Sequence, residues 1–112
     1  MEHRGESAEV LAAVFLQQNG LKLVARNYRC RLGEIDLIAR DGKTLVFVEV
    51  RMRTSNEFGG AAASITSVKR AKLTRTAHHY LATLSRAPAC RFDAVLISGN
   101  GEIEWIKNAF EE

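Results

Sequence analysis

Cysteine and proline are almost missing from this 112-residue chain, which has two of the first and one of the second. Cys30 and Cys90 are far apart, and neither has a partner at CxxC or CxH spacing. A structural zinc site needs about four closely grouped Cys and His ligands, so none can be built here, and the two thiols read as free packing groups. Apolar runs are short. The longest kind, such as Thr44–Val50, falls well below the roughly 20 residues needed to cross a bilayer. Met1–Glu9 is polar and of mixed charge, with no basic-then-apolar leader, so the expected location is the cytoplasm. Repeats, linkers and low-complexity segments are absent, which leaves one domain spanning residues 1–112.

Acid is also missing from long stretches. Between Val10 and Gly33 there is none, whereas Lys22, Arg26, Arg29 and Arg31 are basic. From Phe58 to Phe92 there is again none, against Lys69, Arg70, Lys72, Arg75, Arg86 and Arg91. The net charge is only +3, but this segregation produces a positive field suited to a phosphate backbone. DNA is the expected partner. Arg29, Arg31, Arg53, Lys72 and Arg75 are the candidate contacts, and a solvated basic face is the alternative.

What is present supports an ordinary core, with 46% hydrophobic and 26% charged residues. Ser7–Asn19 reads as a helix closed by Gly20, and it is apolar on most sides. Leu21–Arg31 reads as a strand. Glu34–Ala39 and Leu45–Arg51 form a hairpin about Asp41–Gly42. Thr54–Ala63 is a Gly-rich loop around Gly59–Gly60, where backbone can approach DNA closely. Ile65–Leu84 is a helix with the stripe Leu73, Ala77, Tyr80, Leu81 and Leu84, followed by Pro88. Arg91–Ile97 and Glu102–Ile106 are strands about Asn100–Gly101. The order α-β-β-β-α-β-β predicts an α/β fold, a mixed β-sheet flanked by helices.

Chemistry concentrates in the hairpin. Strand alternation puts Asp36 on one face of its strand, and Phe47, Glu49 and Arg51 together on a face of the next. A turn centred on Asp41–Gly42 sets Asp36 diagonal to Glu49, and a register shifted by one residue on each strand sets them opposite. Either way the β-carbons lie roughly 5–8 Å apart unless a bulge intervenes. Two carboxylates in an apolar hairpin repel each other, and a Mg²⁺ or Mn²⁺ ion relieves that repulsion. Arg51 on the same face is placed to neutralise phosphate charge. The residues also allow a plainer reading, an exposed sheet face on which Arg51 pairs with Glu49.

The segments GEIDLIA (Gly33–Ala39) and VFVEVRMR (Val46–Arg53), with Lys69, Tyr80-Leu81 and Arg91-Phe92-Asp93, resemble the YraN family over about Glu9 to Ile97. That family is regarded as predicted endonucleases of the restriction-endonuclease-like fold, distantly similar to Holliday junction resolvases. The resemblance implies a metal-dependent endonuclease acting on DNA, with branched or structured DNA as a possible substrate. It implies metal-binding carboxylates at Asp36 and Glu49, a helix-one acid at Glu9, and the Val50 carbonyl as a further ligand. By analogy with the resolvases it also implies a homodimer. Two positions depart from the pattern: Ala8 stands where Gly commonly precedes the helix acid, with Glu6 as the alternative acid, and Arg51 stands where a catalytic Lys is usual. Arg stays charged and cannot act as a base. Lys69 extends the inward stripe of the long helix and is the candidate to replace that Lys. The alternative function is a non-catalytic nucleic-acid-binding or adaptor domain that retains the fold. Adjacent His78 and His79 diverge around their helix and cannot chelate one ion together, and Trp105 reads as a core or edge cap.

Overall fold

The computed structural model describes residues 4–53 and 65–110, with side chains over 8–52 and 65–110. The elements run α1 (Arg4–Gln18), β1 (Lys22–Cys30), β2 (Gly33–Asp41), β3 (Thr44–Arg53), α2 (Ser67–Leu81), β4 (Cys90–Ser98) and β5 (Ile103–Phe110). This is the order expected from the sequence. The strands form one five-stranded sheet in the order β1-β2-β3-β4-β5. Only the β3–β4 pair is parallel, which requires a crossover, and α2 lies in that connection. The Gly59–Gly60 segment lies outside the described residues. Among the described residues no helix is long and apolar enough to cross a membrane.

The ends of α1 follow from sequence chemistry. Gly20 takes φ 94°, and the Leu21 amide reaches back to the Leu16 carbonyl at 3.0 Å while the Gly20 amide reaches Gln17 at 3.1 Å. This is the paired hydrogen-bond pattern of a glycine-closed helix, and Leu16 and Leu21 bury together beside it. At the start of α2, the Thr66 side chain accepts the Lys69 amide. The helix ends at Leu81, three residues before the expected Leu84. The chain tightens there, with Thr83 and Leu84 amides bonding to Tyr80 and Leu81 carbonyls.

Each helix covers one face of the sheet. Ala8, Ala12, Ala13 and Leu16 of α1 pack on Leu37, Ala39, Val46, Val48, Val95 and Ile97. On the other face, Leu73 and Ala77 of α2 pack on Ile35, Ile38, Phe47, Phe92, Ala94 and Phe110. Tyr80, Leu81 and Leu84, the rest of the expected stripe, are partly buried against that second core. Gly33 brings the start of β2 against α2: a β-carbon there would sit 2.7 Å from Thr76 Oγ1.

Strand β3 alternates cleanly. Val46 and Val48 face α1, whereas Leu45 and Phe47 face α2. Strand β2 does not, because Ile35 and Ile38 share the α2 side although they are an odd number of positions, three, apart. The alternation breaks at Asp36. Directly across, between the rungs Arg26–Leu37 and Tyr28–Ile35, β1 carries Asn27 with φ 53°. Asn tolerates this left-handed backbone better than most side chains.

Candidate active site

The β2–β3 hairpin turns on Gly42–Lys43, one residue later than the Asp41–Gly42 turn read from sequence. Asp41 pairs with Thr44, and the rungs run back through Ile38–Phe47 to Leu37–Val48. Of the two registers left open by the sequence, this is the one whose continuation sets Asp36 opposite Glu49 rather than diagonal to it. The rungs then stop. Val50, whose amide would next bond across to β2, instead donates to Asp36 Oδ2 at 2.8 Å. The two strands part, and the Asp36 carboxylate satisfies an amide that the sheet has released.

Glu49 lies just past the last rung and is only 5% exposed. Its Oε2 receives two cations, Lys69 Nζ at 2.9 Å and Arg51 Nε at 3.2 Å. Each of the two carboxyls acts on the other, so Asp36 and Glu49 are electrostatic neighbours. Burial pushes the Asp36 carboxyl above its ordinary value, and the charges of Glu9 and Glu34 push the same way. The Val50 amide and the interaction with Glu49 pull it back. Burial likewise raises the Glu49 carboxyl and the Asp36 charge adds to it, against Lys69 and Arg51. An acid pair that holds a proton more tightly than free acids do is under electrostatic stress.

Lys69 reaches this pair because of where α2 begins. It is the third helical residue, anchored through its amide to Thr66 Oγ1 at 3.2 Å. The first turn of α2 holds no acid, so Lys69 sits against the positive end of the helix dipole. Helix energetics do not favour a cation at that place; Glu49 does.

The other residues singled out in the sequence fall at different distances from the pair. Glu9 is half-buried on α1, with Ala13 and Leu16 buried on the same side, and its charge is felt at Asp36. It stands back from the two carboxylates: among the described residues, no three His, Cys, Asp or Glu side chains converge closely enough to hold an ion. Arg31, Lys72 and Arg75 are exposed. Arg29 is exposed too and pairs with Glu34 at 3.1 Å. The side chains of Arg53 and Glu6 lie outside the described residues. His78 and His79 are both exposed, and His79 Nδ1 sits 2.6 Å from Tyr28 Oη. Trp105 packs edge-on against Phe15 and donates to Asp93 Oδ2 at 2.9 Å, as a core residue does.

Sequence reasoning missed two contributors. Thr76 is fully buried and fixes how closely β2 approaches α2, yet a polar residue beside an apolar stripe gives no signal of this. Asn27 supplies the backbone kink opposite Asp36, and an isolated Asn within a strand pattern was its only mark.

Residues 8–97 match the model of a family described as "Uncharacterised protein family UPF0102", a span that contains Glu9, Asp36, Glu49 and Lys69. A UPF0102 protein of Nitrosomonas eutropha is 63% identical over 111 residues, covering 99% of this chain and 96% of the relative. Another, from Nitrosomonas europaea, is 63% identical over 112 residues, covering 98% and 95%. One from Methylobacillus flagellatus is 55% identical over 112 residues, covering 98% of each. The chain therefore belongs to the UPF0102, or YraN, family.

Proposed function

We propose that this chain is a metal-dependent endonuclease that hydrolyses phosphodiester bonds in DNA. The observation that carries the reading is the meeting of Asp36 and Glu49, two acids raised chiefly by burial, with Lys69 against one of them. Packing alone gives no reason to place two acids together beside an apolar core. Their oxygen donors suit a hard cation such as Mg²⁺ or Mn²⁺, which is commonly held by one or two carboxylates with water and substrate phosphate completing the shell. Asp36 and Glu49, with the Val50 carbonyl, would hold the ion. When bound, such an ion polarises a phosphoryl oxygen and lowers the pKa of a water molecule.

The chain's own groups do the rest. The Val50 amide orients the Asp36 carboxylate. Arg51 remains charged and serves to neutralise charge developing on the phosphate. Lys69, partly exposed beside Glu49, is placed to bind or pass a proton at the same phosphate, the task that Arg51 cannot take. Glu9 adds negative charge behind the pair. Arg29, Arg31, Lys72 and Arg75, with Arg53, would hold the flanking strand through its phosphates. A homodimer would set two such sites against opposed strands, with β5 at the sheet edge available for the contact.

A second reading, a DNA-binding or adaptor domain without turnover, draws on one observation. Lys69 and Arg51 both lie on Glu49 Oε2, which compensates that carboxylate with no added ion. The readings separate in one assay: Mg²⁺- or Mn²⁺-dependent cleavage of branched, flapped and single-stranded DNA, with Asp36→Asn and Glu49→Gln alongside. Cleavage lost in both variants supports the nuclease. Cleavage surviving both removes these carboxylates from the chemistry, and salt-sensitive binding without turnover supports the adaptor.

A further inference from the structure

We propose that a cleft between the β2–β3 turn and the α2–β4 connection binds a phosphate group of a nucleic-acid strand, at a site separate from the carboxylate pair. The cleft has a volume of about 500 Å³ and is lined by Arg40, Lys43 and Arg86, with Leu84, Pro88 and Ala89 forming an apolar wall. No acid lines it. All three cations are exposed, and none makes an ion pair among the described residues. Asp41, the acid nearest in sequence, is held by Arg91 Nη2 at 3.0 Å and is not in the lining.

The cleft is a built feature of the fold. The Leu45 amide donates to the Ala89 carbonyl at 2.8 Å, which ties the α2–β4 connection to the start of β3. The Thr83 hydroxyl donates to Tyr80 at 2.6 Å and closes the helix end above it. Three like charges around one concavity repel each other, and an anion removes that repulsion. Two of them are guanidinium groups, whose planar fork matches phosphate oxygens in pairs. The apolar wall excludes water from one side, which strengthens those contacts.

Arg40 lies four residues beyond Asp36 on β2, roughly 13 Å along the strand. That distance matches about four nucleotides of duplex rise along one strand. A strand laid across the site therefore reaches the cleft with a phosphate a few nucleotides from the carboxylates. This spatial link rests on the nuclease reading, whereas the cleft's charge does not.

The test is fluorescence anisotropy of a labelled single-stranded oligonucleotide with the full chain in EDTA, across a salt series. The cleft variant is Arg40→Gln/Lys43→Gln/Arg86→Gln, and the control, Lys22→Gln/Arg26→Gln/Lys107→Gln, removes the same charge elsewhere. Neither touches the carboxylate pair or needs a metal, so failure of the nuclease reading leaves this test intact. The cleft variant is expected to flatten the slope of log affinity against log salt by about two, and the control by clearly less. Equal effects of the two variants would overturn the proposal. So would saturable binding of inorganic phosphate or a deoxynucleoside monophosphate with oligonucleotide affinity unmoved, because the cleft would then serve a free phosphate compound.

Discussion

Asp36 accepts the Val50 amide at 2.8 Å just where the rungs between β2 and β3 end. The same backbone device recurs at the other side of the sheet. Asp93 accepts the Asn108 amide at 2.9 Å where the β4–β5 register shifts. Asn27 opposite Asp36 and Asn108 opposite Asp93 have φ of 53° and 55°. Electrostatically the two sites are opposites. Asp93 is fully buried, bound by Arg91 through both oxygens and by the Trp105 indole, so its charge is matched. Asp36 is surrounded by Glu9, Glu34 and Glu49. One aspartate has its charge matched by a cation, and the other stands among acids.

Removing the Asp36 charge should stabilise the metal-free protein near neutral pH. Both members of the pair have folded-state pKa values raised above the ordinary carboxylate value. Their contribution to stability is therefore fully present below that value and is lost as pH rises through the raised ones. Asp36→Asn keeps an oxygen for the Val50 amide and removes the charge. Thermal melts across pH should show the variant above wild type at neutral pH, with the difference closing in mildly acidic buffer. An unchanged pH profile would mean that burial does not raise the Asp36 carboxyl.

Substituting Lys69 should separate rate from binding. Lys69→Met keeps most of the side-chain length and removes the ammonium from Glu49. We expect DNA cleavage to slow by roughly a hundredfold or more, the scale seen when a group stabilising transition-state charge is lost. Substrate affinity should change little, because Lys72, Arg75 and the other exposed cations remain. A variant that cleaves at the wild-type rate would remove Lys69 from the chemistry.

The Asp93 cluster should behave as pure scaffold. Asp93→Ala leaves Arg91 and the Trp105 indole without their main partner in a buried setting. Breaking a buried pair in this way costs roughly 3–5 kcal/mol. Urea denaturation followed by Trp105 fluorescence should show a large drop in midpoint, while any folded fraction keeps its metal affinity.

Gly33→Ala should be costly for a different reason. The new methyl would meet Thr76 Oγ1 at 2.7 Å, on a backbone with φ 154°. Overpacking of this kind costs roughly 1–3 kcal/mol. Pairing it with Thr76→Ala should recover part of the loss, which denaturation of the single and double variants measures as non-additivity.

Much of this site could be read from residues alone, because strand alternation and a turn signal are local rules. Acids at 36 and 49 inside β-branched runs were enough to pair Asp36 with Glu49 as candidates, whereas Lys69 entered through the family resemblance, with its spacing from Leu73 and Ala77 in support. The parting of the strands was not legible, since it depends on a kink shared by Asn27 and Asp36 on different strands. The exact turn was ambiguous by one residue, and only the rungs from Asp41–Thr44 to Leu37–Val48 settle it. The Arg91–Asp93–Trp105 cluster and the Arg40–Lys43–Arg86 cleft were hidden for a common reason. Each gathers residues from elements that only the folded topology brings side by side.

The most direct test of the central claim is calorimetric titration of Mn²⁺ into the wild-type chain and into Asp36→Asn. The account predicts saturable binding to wild type at one site, with a rise in melting temperature, and loss of both in the variant. Equal Mn²⁺ binding by the two proteins, or none by wild type, would contradict a metal site at the parting of β2 and β3.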